Sequence, residues 1–502
     1  MEGLKLRSYQ TDLIEKVYKL WGSDRKRVLL QLPTGGGKTV IFCSIARDFI
    51  AKSEPVLVIA HRDELITQAA VKLESVVNGS VGIIKAGYKP NPNCLIQVAS
   101  IQSLAKREKP PAGLVIFDEA HHCYSRTYAD VFKHYTEQGS YILGCTATPR
   151  RCDNKGLRIL HGKIDGFEEI VTGLGVNNLI DDGYLSDFKV FVSPNIADAS
   201  SAGIKTTAGD YNQADLANFV KETIIVGDAV DTWLEHAKDR RTVLFAVSID
   251  HSQDLAKEFK RSGISTEHLD GSTPSDERKA ILNRFRLGET LVLCQHSIIT
   301  EGVDIPLIEA VQFTRPTKSL TIWFQAIGRA LRPAPGKSYA VIIDHTDTHL
   351  NLPLPKSDIK WSLDAIKNKF KKNVTCPKCN HVFVPSEDEY ESHVATCPEC
   401  KTQFSFVIEK FKGGGERSRI INIIPAKLVE LENQKVATIQ HLVKIQKANG
   451  YSPGWVYYRL LEYNFDLTLP NWQEIAKLLG YKPGWAYHKW KELQENKAET
   501  KL

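Results

Sequence analysis

The 502-residue sequence lacks any uninterrupted apolar run near the ~20 residues that a membrane-spanning helix needs, so no membrane partner is expected. Methionine is almost missing, with Met1 the single example, and that depletion has no physical account. The opening stretch MEGLKLRSYQ has no secretory apolar segment, and an intracellular, cytoplasmic location is expected. KNKFKKN (367–373) reads as a solvated linker, which leaves a nuclear signal unsupported. A spaced disulfide framework is also lacking. Six of the ten cysteines are scattered (Cys43, Cys94, Cys123, Cys145, Cys152 and Cys294), several in apolar runs where a buried free thiol is expected. No carboxylate constellation of a nuclease is evident.

What is present is ordinary for a globular chain, 42% hydrophobic and 25% charged, with length for two to four domains. The net charge of +6 is unevenly placed. Residues 356–502 hold 23 basic and 17 acidic residues and so carry the whole excess. A basic tail suits an anionic partner such as nucleic acid, and a lysine-rich solvated surface suits it equally.

Between about 28 and 345 apolar strand-like runs alternate with helix-like segments. RVLLQL (27–32), PVLVIA (55–60), CLIQVAS (94–100), GLVIFDEA (113–120) and YILGCTAT (141–148) form one series. RTVLFAVS (241–248), TLVLCQHS (290–297), AVQFTRP (310–316) and SYAVIIDH (338–345) form another. Continuous apolar strands suit parallel sheets covered on both faces, so an α/β fold with two sheets in series is expected. The boundary is placed in the irregular, polar stretch 150–225. NLPLPKSDIK (351–360) reads as a Pro-interrupted linker, and FKGGGERSR (411–419) as a flexible joint.

QLPTGGGKTV (31–40) follows the first strand. Glycines there let the backbone turn tightly and aim its N–H groups inward, and the helix beyond adds its positive end. Lys38 is expected to reach the β- and γ-phosphates of a nucleotide and Thr39 to place its hydroxyl on Mg²⁺. The strict phosphate-loop pattern asks for glycine where Leu32 stands. About 80 residues on, VIFDEAHH puts Asp118 and Glu119 at the end of an apolar strand. One carboxylate there suits Mg²⁺ and the next suits activation of water.

Asp118-Glu119-Ala120-His121 resembles the DEAH box of the superfamily 2 helicases and translocases. The other motifs of that family follow in order: LRSYQ (6–10), AHRDEL (60–65), TATPR (146–150), VLFAVSIDHSQDLAKEF (243–259), HLDGSTPSDERKAILNRF (268–285), ITEGVDIP (299–306) and QAIGRALRP (325–333). The start LRSYQ, the loop LPTGGGK, GRALRPAPGK and a cysteine-rich tail are most similar to the bacterial RadD-like group, near the XPB-like DNA helicases, in which Leu32 is normal. The resemblance implies two tandem RecA-like parallel-sheet domains, here 1–170 and 171–350, and Mg²⁺-dependent ATP hydrolysis. It implies that Gln10, with Arg7, binds adenine, and that Thr34, Gly35, Gly36, Gly37, Lys38 and Thr39 hold phosphates and metal. Asp118 would ligate Mg²⁺ and Glu119 activate water. Gly302 and Asp304 would touch the nucleotide from the second domain, and Arg329 and Arg332 would stabilise the transition state, with Arg332 the arginine finger. Gln325 and His121 would couple the two domains, and Arg62, Gln102 and Thr300 would contact a nucleic-acid backbone. DNA is favoured over RNA, because the closest resemblance is to DNA-repair and recombination motors, and the RNA-processing DEAH enzymes carry a GETGSGKT loop and QRxGRAGR instead. An RNA helicase, or a factor that moves a protein on DNA through a docking tail, is the alternative.

CPKC (376–379) and CPEC (397–400) stand 17 residues apart, the spacing of a four-cysteine zinc ribbon, placed at 370–410. Cys376, Cys379, Cys397 and Cys400 are the expected ligands, with His381 and His393 at the surface. Bound zinc is worth ~10–16 kcal/mol in small peptides, enough to fold a module with little core. In 425–502, GYSPGWVY (450–457) recurs as GYKPGWAY (480–487), with six positions coinciding. Trp455 and Trp485 are read as cores of two small helical units; base-stacking platforms beside Arg459, Lys482 and Lys489 are the alternative.

Overall fold

A computed structural model describes residues 5–61, 63–77, 79–89, 91–150, 156–197, 199–200, 202–207, 209–221, 225–296, 307–364, 371–411, 417–423 and 469–479. Contacts divide the chain into two compact units, residues 1–402 with 406–422, and residues 403–405 with 423–502.

The larger unit is built mainly on two large sheets. The first is built from β1 (Arg27–Gln31), β2 (Val56–Ala60), β3 (Val81–Ile84), β4 (Ile96–Ser100), β5 (Leu114–Asp118), β6 (Tyr141–Thr146) and β7 (Glu169–Thr172), in the order β3-β4-β2-β5-β6-β1-β7. Every pairing is parallel. Helices α1 (Ser8–Gly22), α2 (Lys38–Ile50), α3 (Asp63–Val77), α4 (Ile101–Leu104) and α5 (Arg126–Glu137) connect or flank these strands. All five residues of β2, β4 and β5 are buried, which is why those segments read as unbroken apolar runs.

The second sheet uses β8 (Asp187–Ala197), β11 (Thr242–Phe245), β12 (Thr266–Leu269), β13 (Val292–Gln295), β14 (Ala310–Phe313), β15 (Tyr339–Thr346), β16 (Val374–Thr375) and β17 (His381–Phe383). A separate two-residue hairpin pairs β9 (Thr206–Thr207) with β10 (Asp210–Tyr211). The order is β12-β13-β11-β14-β15-β8-β17-β16, parallel as far as β8 and antiparallel beyond it. Around it lie α6 (Val176–Asp181), α7 (Gln213–Lys221), α8 (Ile225–His236), α9 (Ile249–Arg261), α10 (Ser275–Leu287) and α11 (Leu320–Ala330).

Two features differ from the sequence reading. The stretch 150–225 holds the edge strand β7 and the eleven-residue β8. β7 is short and half-exposed, and β8 opens with alternating Phe188, Val190 and Val192, so neither gives a continuous apolar run. The segment read as a linker is packed. Trp323 Nε1 donates to the Pro353 carbonyl at 3.0 Å, and Leu354 is buried. Further on, the Leu363 carbonyl accepts from the N–H groups of Leu157 and Arg158 at 2.7 and 3.1 Å, and its side chain joins Leu160 and Phe167 in the core of the first lobe. A Cβ at position 156 would stand 1.7 Å from that carbonyl, so only glycine fits. The segment therefore straps the helix α11 of one lobe to the other.

In the smaller unit the described element is the helix Leu469–Leu479, which buries Trp472, Ile475 and Ala476. Both GYxPGWxY repeats, with Trp455, Trp485, Arg459, Lys482 and Lys489, lie outside the described residues.

Candidate active site and metal centre

The loop between β1 and α2 is shaped by Gly35 and Gly37, both at positive φ (84° and 89°), where a side chain would be strained. Leu32 is fully buried, and a Cβ on Gly36 would meet its Cγ at 2.7 Å. The residue that breaks the strict pattern is thus the apolar plug on which the loop sits. Lys38 opens α2 and its Nζ donates to the Leu32 carbonyl at 3.1 Å; Thr39 follows in the first turn. Gln10 is buried against the loop. Its Oε1 accepts from the Arg7 N–H at 2.9 Å, and its Nε2 lies 2.3 Å from where a Cβ on Gly37 would stand. Tyr9 donates to the Gly36 carbonyl at 2.7 Å, and the Arg7 guanidinium lies 4.1 Å above the Tyr184 ring. Tyr9 stands inside the LRSYQ motif; Tyr184 has no sequence signal.

Two strands away, β5 ends at Asp118, whose Oδ1 accepts from the Glu119 N–H at 3.0 Å. Glu119 is held in left-handed backbone (φ 50°), which turns its carboxylate away from the strand direction. β6 lies between β5 and β1, so Cys145 feels Asp118, Lys38 and Glu119 together. Burial first, and then Asp118, push its thiol well up. Phosphate-loop lysine and strand-end carboxylates therefore converge on one end of the sheet.

From Glu119 a chain of contacts leaves the first lobe. Its Oε2 is 3.3 Å from His121 Nδ1, which lies 3.1 Å from Thr146 Oγ1. The Thr148 N–H donates to the same Thr146 oxygen at 3.2 Å, and Thr148 Oγ1 donates to Thr321 Oγ1 at 3.0 Å. Thr321 lies in the first turn of α11, which also carries Gln325 and Arg329. The TATPR motif contains Thr146 and Thr148; Thr321 was not singled out, because only the folded chain brings it to Thr148. Gln325 is buried, and its Nε2 has no hydrogen-bond partner among the described residues. Arg329 is buried too. Arg332 lies just past the helix, and a Cβ on Gly35 would come 4.0 Å from its Cγ. A Cβ on Gly328 would meet that of Thr34 at 2.5 Å, so the phosphate loop and α11 touch backbone to side chain.

Of the expected nucleic-acid residues, Gln102 is exposed on α4, after Ser100 caps that turn. Arg62 and Thr300, like Gly302 and Asp304, lie outside the described residues. A cleft of about 390 Å³ opens beside Val247, Ser248 and Asp250, with Gln213 and His296 in its walls.

The sulfur atoms of Cys376, Cys379, Cys397 and Cys400 all lie within 4.8 Å of one another, with Cys376–Cys400 at 3.5 Å and Cys379–Cys397 at 3.7 Å. Four thiolates on a tetrahedral Zn²⁺ with ~2.3 Å bonds stand about 3.8 Å apart, so the donor set fits that ion. These spacings are too long for disulfides, and every described cysteine is free. His393 is exposed as expected, but His381 is not. It is buried in β17, opposite Phe191 of β8, and burial pushes its imidazole pKa down. The hairpin that presents Cys376 and Cys379 thus completes the second sheet, and Lys189 of β8 reaches Glu399 at 2.8 Å.

Comparison with known proteins agrees with this geometry. Residues 3–151 match the family described as "Type III restriction enzyme, res subunit" and residues 225–334 the "Helicase conserved C-terminal domain". A "51.5 kDa protein" of a Lactococcus phage is 32% identical over 72% of this chain and 76% of its own. IRC3 of Saccharomyces cerevisiae, a candidate ATP-dependent helicase, is 33% identical over 68% of this chain and 51% of its own. The "DNA 3'-5' translocase XPB2" of Sulfurisphaera tokodaii is 27% identical over 66% of this chain and 79% of its own. The chain belongs to the superfamily 2 helicases, ATP-hydrolysing enzymes that act as helicases or translocases. No described helix is long and apolar enough to cross a membrane.

Proposed function

We propose that this chain is a DNA-directed motor, in which ATP hydrolysis between the two lobes drives movement along DNA or its unwinding, as in repair, recombination or replication. The observation that carries the reading is the continuous chain Glu119–His121–Thr146–Thr148–Thr321, which ties a water-activating carboxylate in one lobe to the arginine-bearing helix of the other. A basic tail suits a nucleic-acid track, and the resemblance to a DNA translocase favours DNA over RNA.

In this reading the N–H groups of Gly35–Gly37 and the Lys38 ammonium bind the β- and γ-phosphates, while Arg7 and Gln10 flank the base. Thr39 and Asp118 would hold Mg²⁺, which neutralises charge on the phosphate oxygens. Glu119 orients a water and takes its proton as it attacks the γ-phosphorus. Arg332, with Arg329, meets the charge that develops on the transferred oxygens, and Gln325 brings a spare amide donor to the same cleft. ATP makes contacts with both lobes only when they are closed, so binding favours closure and hydrolysis releases it. Gln102, Arg62 and Thr300 would grip the phosphate backbone alternately, without reading sequence. Zn²⁺ would sit in the four-cysteine cluster as a structural ion, inside a reducing cell interior. We take the working boundaries as 1–170, 171–350, 370–410 and 425–502, the last a candidate docking tail for a protein partner.

The test is steady-state ATPase activity of the full chain with no polymer, single-stranded DNA, double-stranded DNA and RNA, with Lys38→Ala as control. Stimulation by DNA and not RNA is expected. Stimulation by RNA alone would make the track RNA, and indifference to every polymer would remove the motor reading.

A further inference from the structure

The end of α11 poses a problem that the sequence motifs do not solve. The last carbonyls of a helix have no partner within it. Here they also lie one turn from Arg329 and immediately before Arg332, so any slack is passed to those side chains. The Leu331 carbonyl is taken by the Ser186 N–H at 2.7 Å. The carbonyls of Ala330 and Arg332 both accept from a single group, the Nζ of Lys337, which also donates to the Ile308 carbonyl at 2.9 Å.

Lys337 reaches this point because the chain reverses just before it. Its N–H bonds back to the Ala334 carbonyl at 3.1 Å, and Gly336 takes a φ of 78° that the turn requires. An ammonium has three hydrogens, and here three carbonyls receive them. No carboxylate pairs with it among the described residues. Glu309, whose field favours the ammonium, is itself bound to Arg241 at 3.0 Å. The group is half-buried with backbone as its partner, which is an unusual use of a lysine unless the positive charge serves the helix end.

We propose that Lys337 is the positioning residue for the arginine-bearing helix: it gathers the end of α11 and the segment entering β14 onto one point and so fixes where Arg332 meets the phosphate loop. This rests on the reading of Arg332 as the transition-state arginine. Burial pushes the Lys337 ammonium down to about 8, with Glu309 opposing and Arg240 and Arg241 adding to the fall. A neutral amine has two hydrogens for three carbonyls, so the clamp should loosen as pH rises through that value.

The experiment compares the full chain with Lys337→Met, Arg332→Ala and the double variant, by ATPase kinetics in DNA-saturated conditions across pH 6.5–9.5. Lys337→Met is expected to lower kcat by about 10–100-fold with KM for ATP moved less than about threefold, because a small misplacement of a transition-state group costs rate, not affinity. It should add little to Arg332→Ala, since both act through one group. The wild-type fall in kcat above about pH 8 should vanish in the variant. If Lys337→Met does not fold, Lys337→Gln keeps two donors, and the alkaline limb should be lost there too. A kcat within about twofold of wild type, or a loss that multiplies in full on Arg332→Ala, overturns the proposal. Normal activity in Arg332→Ala breaks the underlying reading instead, whereas an impaired Arg332→Ala beside an intact Lys337→Met breaks this inference alone.

Discussion

Asp118 leaves the end of a strand flanked by parallel neighbours on both sides, in a sheet made wholly from residues 27–172. Arg332 instead follows the end of a helix, and that helix is held by parts brought from elsewhere: Lys337, the strap at Pro353 and a sheet whose edge is finished by a cysteine-bearing hairpin. The first lobe supplies its reactive groups from a sheet that is complete by residue 172, and Leu363 only adds to its core. The second supplies them from a scaffold that later stretches of chain complete. The difference teaches that segments after residue 350 belong to the motor's mechanics and are not simply attached to it.

The sharpest way to set the lobes against each other is to remove one reactive group from each. Arg332→Ala should lower kcat by ~10³–10⁵-fold, the scale of an arginine finger, with the melting transition unmoved. Lys38→Ala should cost ~10²–10³-fold through lost phosphate stabilisation, read in the same assay. An Arg332→Ala loss below tenfold would shift the role to Arg329.

Breaking the four-cysteine cluster should then divide the lobes by stability. Chelation, or Cys397→Ser, is expected to cost several kcal/mol in the second lobe, because the Val382–Val190 pairing at the edge of β8 depends on the ribbon. Hydrogen exchange would show it as lost protection in β8 with β1 and β5 still protected. Equal loss in both sheets would break the comparison.

Acid should separate them again. His251, His236, His296 and His381 all lie in the second lobe, each with its pKa pushed down, chiefly by burial, and His251 falls to about 4. A histidine kept neutral in the fold gives stability that is present above its unfolded value near 6.5 and is lost as pH falls toward the folded value. For His251 the loss approaches about 3 kcal/mol by pH 4, read by denaturant titration between pH 7 and 4. Stability independent of pH over that range would argue against the buried neutral ring. The smallest effect is expected at the contact between lobes. Thr148→Val removes one hydrogen bond to Thr321 and should cost about 1 kcal/mol of coupling, seen as a few-fold fall in DNA-stimulated rate with the unstimulated rate kept.

The phosphate loop, the DEAH strand end and the two cysteine pairs were legible because each is a local device: glycine backbone freedom, a strand's carboxyl end and a knuckle of two thiolates are written in contiguous residues. Nine strands of the two sheets announced themselves as apolar runs. β3, β7, β8, β12, β16 and β17 did not, because edge strands dilute the run with polar residues, β16 and β17 are only two and three residues long, and β8 opens on the charged and polar alternation of Asp187 and Lys189. Leu32 departs from the strict loop pattern, and the resemblance makes it normal without a reason; the reason is tertiary, since its side chain fills the space beneath Gly36. His381 looked like a surface residue because nothing local says that its hairpin will be laid against β8.

The sequence by itself determined the class of this protein, its phosphate loop, its strand-end carboxylates and its four thiolates, since backbone permissiveness and ligand spacing are short-range properties. Tertiary structure alone decided that Thr148 meets Thr321, that Leu363 returns to the first lobe, that the ribbon finishes the second sheet and that Lys337 closes α11. Those are contacts between residues from 173 to more than 200 positions apart, or, at Lys337, the convergence of three carbonyls on one charge. Such contacts exist only once burial has folded distant segments onto a common core, and no window of sequence contains them.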